Sequence, residues 1–238
     1  MQLSPLHEKH IEIVKELKNH SDFTNSRAEY KDDFEKIYSE AKEEKVNLSN
    51  AKDFLNSLSE EELSTVQHYV GLADPIKTGG LSNEGAYNLL VHHYERFDFD
   101  QNGLTDVGLA QTSSMIPVNM PETEKRALVA SLNEMEEGDR FKAMMMISLP
   151  DRIVVDIDEN GVLKPIYDET VKDYDALLKM FDRIINPDPM SYTSPELKSV
   201  FSEFKDLFKK HYEEQKELEN SYQVQTNTST QAVKAKLS

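Results

Sequence analysis

The stretch SEEELSTVQHYVG (residues 59–71) carries the signals that start, orient and end an α-helix. Ser59 and Glu62 are three residues apart, the spacing at which each side chain caps the other's backbone N–H. Three apolar residues follow at steps of three and four: Leu63, Val66 and Val70. Gly71 suits the left-handed turn that commonly closes a helix. This stretch therefore predicts a capped, amphipathic helix.

Similar patterns on both sides of this stretch predict a mainly α fold. Ser4 and Pro5 open a first helix, and Tyr30 to Ala41 and Ser49 to Leu58 read as two more. Ser82 caps a helix whose inward face carries Tyr87, Leu90, Val91 and Tyr94 and which leads into residue 98. Further helices are predicted from about Pro121 to Met135, over 139–148, over 170–185, and from Ser194 onward.

One stretch departs from the helical pattern. In RIVVDIDENGVLKPIY (152–167), β-branched residues stand on both sides of an Asn-Gly pair. Asn-Gly between such runs is a strong short-range signal for a β-hairpin. The predicted fold class is mainly α, a multi-helix bundle with one β-hairpin near 152–167.

Four segments are expected along the chain. They are an N-terminal helical region (1–71), a helical region with an acidic loop (72–150), a β-hairpin followed by a two-helix hairpin (151–220), and a disordered tail (221–238). The long last helix has an apolar stripe with Phe201, Phe204 and Phe208, which we expect to pack on the 170–185 helix. Its distal part, after about Lys210, is predicted to bind another protein.

The composition disfavours several kinds of partner and excludes cysteine chemistry. With 44 acidic and 27 basic side chains, the net charge is −17, which disfavours nucleic acids and anionic lipid surfaces as partners. The chain has no cysteine, so disulfides, thiolate metal sites and cysteine nucleophiles are excluded. No signal-peptide pattern or transmembrane run is visible, so a soluble, cytoplasmic protein is expected, with export by a route without a cleaved signal left open.

The acidic stretch DFDQNG (98–103) has oxygen-bearing side chains at alternating positions followed by glycine. It resembles the first half of an EF-hand calcium loop. The resemblance implies calcium ligands at five positions: Asp98, Asp100, Asn102, the carbonyl of Leu104, and Asp106. Tyr94 and Phe97 match the aromatic spacing of that family's first helix. Position 12 is Leu109 rather than an acid, which implies weak Ca²⁺ binding unless a carboxylate from elsewhere in the fold completes the site. The alternative is an acidic turn without a metal.

A second acidic stretch, DIDENG (156–161), is interpreted differently. Lys164 and Tyr167 occupy the positions where further ligands would stand, and the flanking residues favour strands over helices. We therefore expect a solvent-facing hairpin turn here. His92 and His93 are adjacent, so they point about 100° apart on a helix and are a poor metal pair. His7 and His10 are expected to be solvated or half-buried structural residues.

No catalytic constellation is visible in the sequence. The leading hypothesis is a non-enzymatic interaction or regulatory protein with one weak calcium loop. Two alternatives stay open: a metal-dependent enzyme with an acidic site around Asp98, Asp100 and Asp106, and an exported accessory or virulence-type protein.

Overall fold

The computed structural model describes residues 4–17, 25–100, 104–112, 116–148, 154–157, 163–166 and 172–236. These residues are mainly α-helical, as the sequence predicts. The helices are α1 (Pro5–Val14), α2 (Asn25–Ala28), α3 (Lys31–Glu43), α4 (Ala51–Ser57), α5 (Glu60–Val70), α6 (Asn83–Leu89), α7 (Glu122–Glu134), α8 (Glu137–Ser148), α9 (Tyr174–Ile185) and α10 (Pro195–Lys236). Two short 3-10 helices, Thr78–Gly80 and His93–Glu95, flank α6.

The chain divides into two compact units. Unit 1 comprises residues 1–118 and 148–168, and unit 2 comprises residues 119–147 and 169–238. Each unit is discontinuous in sequence, so this division differs from the linear segments expected above. A boundary between units formed by distant parts of the chain leaves no local composition signal.

Two antiparallel hairpins are present within the described residues. Strands β3 (Val154–Ile157) and β4 (Leu163–Ile166) pair as the sequence predicts, with Asp156 opposite Lys164. Strands β1 (Thr105–Val107) and β2 (Ala110–Thr112) form a hairpin that the sequence analysis does not anticipate. Gly108 stands at its turn with φ +65°, a conformation that favours glycine.

Unit 1 is organised around α3 and α5. The capping box of α5 forms as predicted, since the Glu62 N–H donates to Ser59 Oγ and the Ser59 N–H donates to the Glu62 carboxylate. Gly71 ends the helix with φ +83°. Phe34 of α3 is fully buried and its ring lies 3.9 Å from that of Tyr69 on α5. Around them lie further buried residues: Ile37, Ala41, Leu55, Val66, Val70, Leu81, Leu89, Leu90 and Val107.

Helix α1 begins as predicted, with the His7 N–H donating to Ser4 Oγ at 3.2 Å. Its buried face differs from the expectation, because His7 and His10 are buried at 1% and 3% exposure while Leu6 is 53% exposed. The interpretation of these histidines as solvated is therefore wrong. His7 packs on Phe97 with ring centroids 4.2 Å apart and planes tilted by 45°, so contact with an aromatic ring rather than solvation explains its place.

Unit 2 contains α7, α8, α9 and α10, and α10 packs on both α7 and α9. The phenylalanine stripe of α10 is buried, as expected, and the ring of Phe181 on α9 lies 5.0 Å from that of Phe204. Burying one such side chain fully is worth roughly 1.5–3 kcal/mol. Burial of the stripe therefore stabilises the unit.

Helix α10 continues to Lys236, whereas disorder was expected over 221–238. The chain has no proline or glycine after Pro195, and extending an existing helix costs far less than starting one. Propagation thus carries the helix past the end of its apolar stripe. None of the helices in the described part of the chain is long and apolar enough to cross a membrane.

Candidate metal centre

The start of α6 positions the first acidic side chain. Ser82 Oγ accepts the Gly85 N–H at 2.8 Å, which caps the helix as its sequence predicts. The same hydroxyl donates to the Asp106 carboxylate at 2.7 Å. The cap therefore fixes α6 and ties its first turn to β1. Glu84, in that first turn, is held against the loop that precedes β1.

A buried asparagine holds both ends of the acidic loop against α6. Asn88 is fully buried, and its side-chain amide exchanges hydrogen bonds with the backbone of Phe97 at 3.2 and 3.0 Å. The same amide nitrogen donates to the Asp106 carbonyl at 2.8 Å. The side chain of Asn88 thus contacts the backbone of both Phe97 and Asp106. Asn88 therefore holds the two positions that flank the loop close to α6.

A close approach of two glycines completes this arrangement. The Gly108 N–H donates to the Gly85 carbonyl at 2.9 Å. A Cβ at Gly85 would lie 2.3 Å from the Gly108 carbonyl oxygen, so no side chain fits there. Glycine at position 85 therefore lets the β1–β2 turn rest on α6.

Glu84 lies beneath the loop and accepts three backbone hydrogen bonds. Its Oε2 accepts from the N–H groups of Phe99 at 2.6 Å and Asp100 at 3.2 Å, and its Oε1 accepts from the Asp106 N–H at 2.8 Å. Only 6% of Glu84 is exposed. The Glu84 carboxylate thus fixes the backbone of Phe99, Asp100 and Asp106 by hydrogen bonds. Each carboxylate oxygen has two lone pairs, so these bonds leave capacity for a metal.

Three carboxylates meet at this point. Oxygen atoms of Glu84, Asp98 and Asp100 all lie within 4.8 Å of one another. Two oxygens bound to one Ca²⁺ at about 2.4 Å can be no more than about 4.8 Å apart, so the spacing is compatible with a shared ion. Glu84 is buried, Asp98 is half-buried and Asp100 is exposed. An ion would therefore have protein on one side and water on the other.

The electrostatics of the site also favour a cation. Burial raises the pKa of Glu84, and the charge of Asp98 raises it further, although the three backbone N–H groups lower it. A buried carboxylate beside two others is less stable in its charged form than it would be in water. A bound divalent cation would remove this penalty, since it neutralises all three charges at once.

The structure brings together only some of the ligands predicted from the sequence. Asp98 and Asp100 belong to the cluster. Asp106 does not, because its carboxylate accepts from Ser82 and from Gln111 Nε2 at 3.1 Å. Leu104 lies directly before β1 and is half-buried. Asn102 lies outside the described residues.

The surroundings of the loop differ from the helix–loop–helix frame that the EF-hand resemblance implies. Helix α6 ends at Leu89, and the chain reaches Phe97 through a 3-10 turn rather than along the same helix. Eight more helical residues would have moved Phe97 about 12 Å along the axis, away from Asn88. After the loop comes the β1–β2 hairpin instead of a second helix. The expected first helix is therefore shorter than its apolar pattern predicts.

The second acidic stretch stands in the hairpin expected for it. Asp156 belongs to β3, and pairing with β4 resumes at Leu163. The turn itself, including Asp158 and Asn160, lies outside the described residues. Within the residues that the structure describes, the cluster of Glu84, Asp98 and Asp100 is the one group of His, Asp and Glu side chains close enough to share an ion.

Sequence reasoning missed two residues of this site, Glu84 and Asn88. The missing acid at position 12 indicated that another carboxylate was needed, but many of the 44 acidic residues could have supplied it. Asn88 lies outside the apolar face predicted for its helix, so no local signal marked it as a buried residue. No family model, curated protein or solved structure matches this chain, so the site is interpreted from its own geometry.

Proposed function

We propose that this chain is a non-enzymatic interaction or regulatory protein in which Glu84, Asp98 and Asp100 bind Ca²⁺. The observation that carries the proposal is the convergence of these three carboxylates within 4.8 Å, one of them buried and hydrogen-bonded to the loop. Glu84 supplies, from α6, a carboxylate of the kind that the loop lacks at position 109.

Calcium suits this site better than magnesium does. Ca²⁺ accepts six to eight oxygen ligands in flexible geometry, whereas Mg²⁺ needs a near-ideal octahedron and gives up water reluctantly. Here Glu84 is fixed by backbone bonds while Asp98 and Asp100 stand at a partly open surface, where water and carbonyl groups can complete an irregular shell. We expect weak affinity, in the range of roughly 10⁻⁴ to 10⁻³ M that is typical of extracellular modules.

Binding would stabilise the loop as well as fill the site. Glu84 accepts from Phe99, Asp100 and Asp106, so an ion on Glu84 connects α6, the loop and β1. A ligand that binds only the folded state at 100 times its Kd adds about 2.7 kcal/mol to the free energy of unfolding. Calcium would therefore increase the stability of the contacts that join α6, the loop and β1 in unit 1.

Isothermal titration calorimetry with CaCl₂ tests the calcium proposal. We expect saturable heat with one site per chain for the wild type, and its loss in the Asp98→Asn/Asp100→Asn variant and in Glu84→Gln. Asp156→Asn is the matched control, because it removes the same residue type from the second acidic stretch. An absence of heat up to about ten times the weak-site range, or equal loss in the control, would reject the calcium site.

We also propose that the distal part of α10 binds another protein. Beyond His211 this helix keeps only scattered contacts among the described residues, such as the stacking of Tyr212 on Tyr174. Glu213, Glu214 and Lys216 are exposed, and Leu218 is 50% exposed. A photo-crosslinker at Leu218 should then capture a protein that one at Glu43, on the end of α3, does not. Equal capture from both positions would count against the proposal.

A further inference from the structure

Helix α1 lies against the segment that leads into the acidic loop. It contacts the 3-10 helix His93–Glu95, and its His7 side chain is buried. The ring centroid of His7 is 4.2 Å from that of Phe97 and 6.1 Å from that of Phe99. Asp98, one of the three clustered carboxylates, stands between Phe97 and Phe99 in the sequence. His7 therefore packs on the two rings that flank a proposed calcium ligand.

The backbone of these two phenylalanines is tied to the residues of the metal site. The Phe99 N–H donates to Glu84 Oε2 at 2.6 Å, and the Phe97 N–H donates to Asn88 Oδ1 at 3.2 Å. The rings of Phe97 and Phe99 also contact each other edge-on, with centroids 5.3 Å apart. A displacement of the loop backbone would therefore displace the rings on which His7 packs.

Helix α1 is too short to be stable by itself. It has 10 residues, whereas isolated helices shorter than about 12–15 residues are marginal in water. Its buried side chains are those of His7, His10, Ile13 and Val14. Packing of this face on the rest of unit 1 therefore keeps α1 helical. The exchange rate of its backbone amide hydrogens then reports how often the helix undocks.

We propose that calcium binding strengthens the docking of α1, so that this helix is the element that the metal site regulates. The inference rests on the calcium site proposed above. Without an ion, Glu84, Asp98 and Asp100 repel one another, which loosens the loop backbone. A shared ion removes this repulsion and fixes the loop together with its flanking rings. An ion that binds only the docked form lowers the undocked population by up to ~10-fold at ten times its Kd.

The coupling between α1 and the metal site acts in both directions, because linkage between two binding events is reciprocal. A change in α1 that weakens its docking should therefore weaken calcium binding, although α1 supplies none of the three carboxylates. A purely structural role of His7 would lower the stability of the fold and leave the calcium affinity unchanged. The calcium affinity of His7 variants thus separates the two roles.

Hydrogen exchange measured by mass spectrometry, with and without CaCl₂ at constant ionic strength, tests the regulation. At ten times its Kd, calcium should slow exchange of the α1 amides (residues 9–14) by between ~3-fold and ~10-fold in the wild type. The Asp98→Asn/Asp100→Asn variant should show no change, and neither should the amides of α9 in unit 2. Unchanged exchange in α1, or equal slowing in α9, would overturn the coupling.

Calorimetry with CaCl₂ on α1 variants tests the reverse direction. His7→Ala removes the ring contact with Phe97 and should weaken calcium binding by at least ~5-fold. His7→Phe keeps a ring against Phe97 and should bind calcium as the wild type does. Leu6→Ala is the matched control, because it changes the neighbouring side chain, which is 53% exposed. It should bind calcium as the wild type does.

The outcomes separate this inference from the calcium site on which it rests. Calcium heat in the wild type together with an unchanged Kd in His7→Ala, or equal weakening in Leu6→Ala, would overturn the coupling alone. An absence of calcium heat in the wild type would reject the calcium site and the coupling with it. If His7→Ala does not fold, the exchange measurement on the wild type still decides, because it needs no change in α1.

Discussion

Glu84 in unit 1 and Glu134 in unit 2 are the same residue in opposite surroundings. Glu84 is 6% exposed and, among the described residues, accepts only from neutral backbone amides; burial raises its pKa. The Glu134 side chain is 42% exposed and accepts from Lys210 Nζ at 2.8 Å, with His211 Nε2 at 3.0 Å. The hydrogen bond from Lys210 is the largest influence that lowers the pKa of Glu134.

The difference shows what makes a carboxylate available to a metal. Glu134 already has the ammonium group of Lys210 beside it, so a metal would have to displace that group. Glu84 has two further carboxylates and no cation among the partners that the described residues provide. In a chain with 44 acids, a buried carboxylate that lies beside two others and accepts no hydrogen bond from a cation within the described residues is the more informative feature.

The largest expected effect is on folding stability without calcium. Glu84→Ala leaves three backbone N–H groups without their acceptor, at about 1–3 kcal/mol each where they stay buried. We expect the free energy of unfolding to fall by roughly 3 kcal/mol or more. Glu134→Ala should cost less than about 1 kcal/mol, as for a surface ion pair. Urea unfolding measures both, and equal losses would remove the distinction drawn between the two sites.

A smaller effect, with opposite signs at the two sites, is expected in the pH dependence of stability. Glu84 has a folded-state pKa above 4.5, so its contribution is fully present below that pH and is lost as pH rises through the raised pKa. Glu134 has a lowered pKa, so its contribution is present above 4.5 and is lost as pH falls through the lowered value.

Wild type measured against Glu84→Gln in calcium-free buffer should therefore lose stability as pH rises. Measured against Glu134→Gln, the wild type should gain stability as pH rises. Urea unfolding from pH 3 to 7 gives both slopes. Slopes of the same sign would show that burial does not dominate at Glu84.

The smallest expected effect concerns His211, which lies between two carboxylates. Its Nδ1 is 2.7 Å from Glu214 Oε2, and its Nε2 is 3.0 Å from Glu134. Nδ1 forms a hydrogen bond with Glu214, whereas Nε2 lies near Glu134 without hydrogen-bond geometry to any of the described residues. His211→Gln should lower the free energy of unfolding by about 1 kcal/mol. Urea unfolding measures this difference, and a loss as large as that expected for Glu84→Ala would contradict the ranking of the two residues.

Local signals predicted most of the helices, because caps and apolar spacing act over a few residues. Ser4, Ser59, Ser82 and Gly71 take the capping roles that their positions predict. The β3–β4 hairpin follows from its Asn-Gly signal in the same way. The exceptions are elements whose ends depend on distant contacts. Helix α6 stops at Leu89, although its apolar pattern continues, because Asn88 binds the backbone of residues 97 and 106.

The residues of the candidate metal site also divide into those that local sequence predicts and those that only distant contacts place. The sequence by itself determined that Asp98 and Asp100 alternate in a tight acidic loop, since that is a property of neighbouring residues. Only the tertiary structure decided that Glu84 joins them and that Asp106 turns to Ser82 instead. Caps and turns form within a few residues of chain. A shared ion site depends on which distant groups the packed core brings within about 5 Å, and no local pattern encodes that distance.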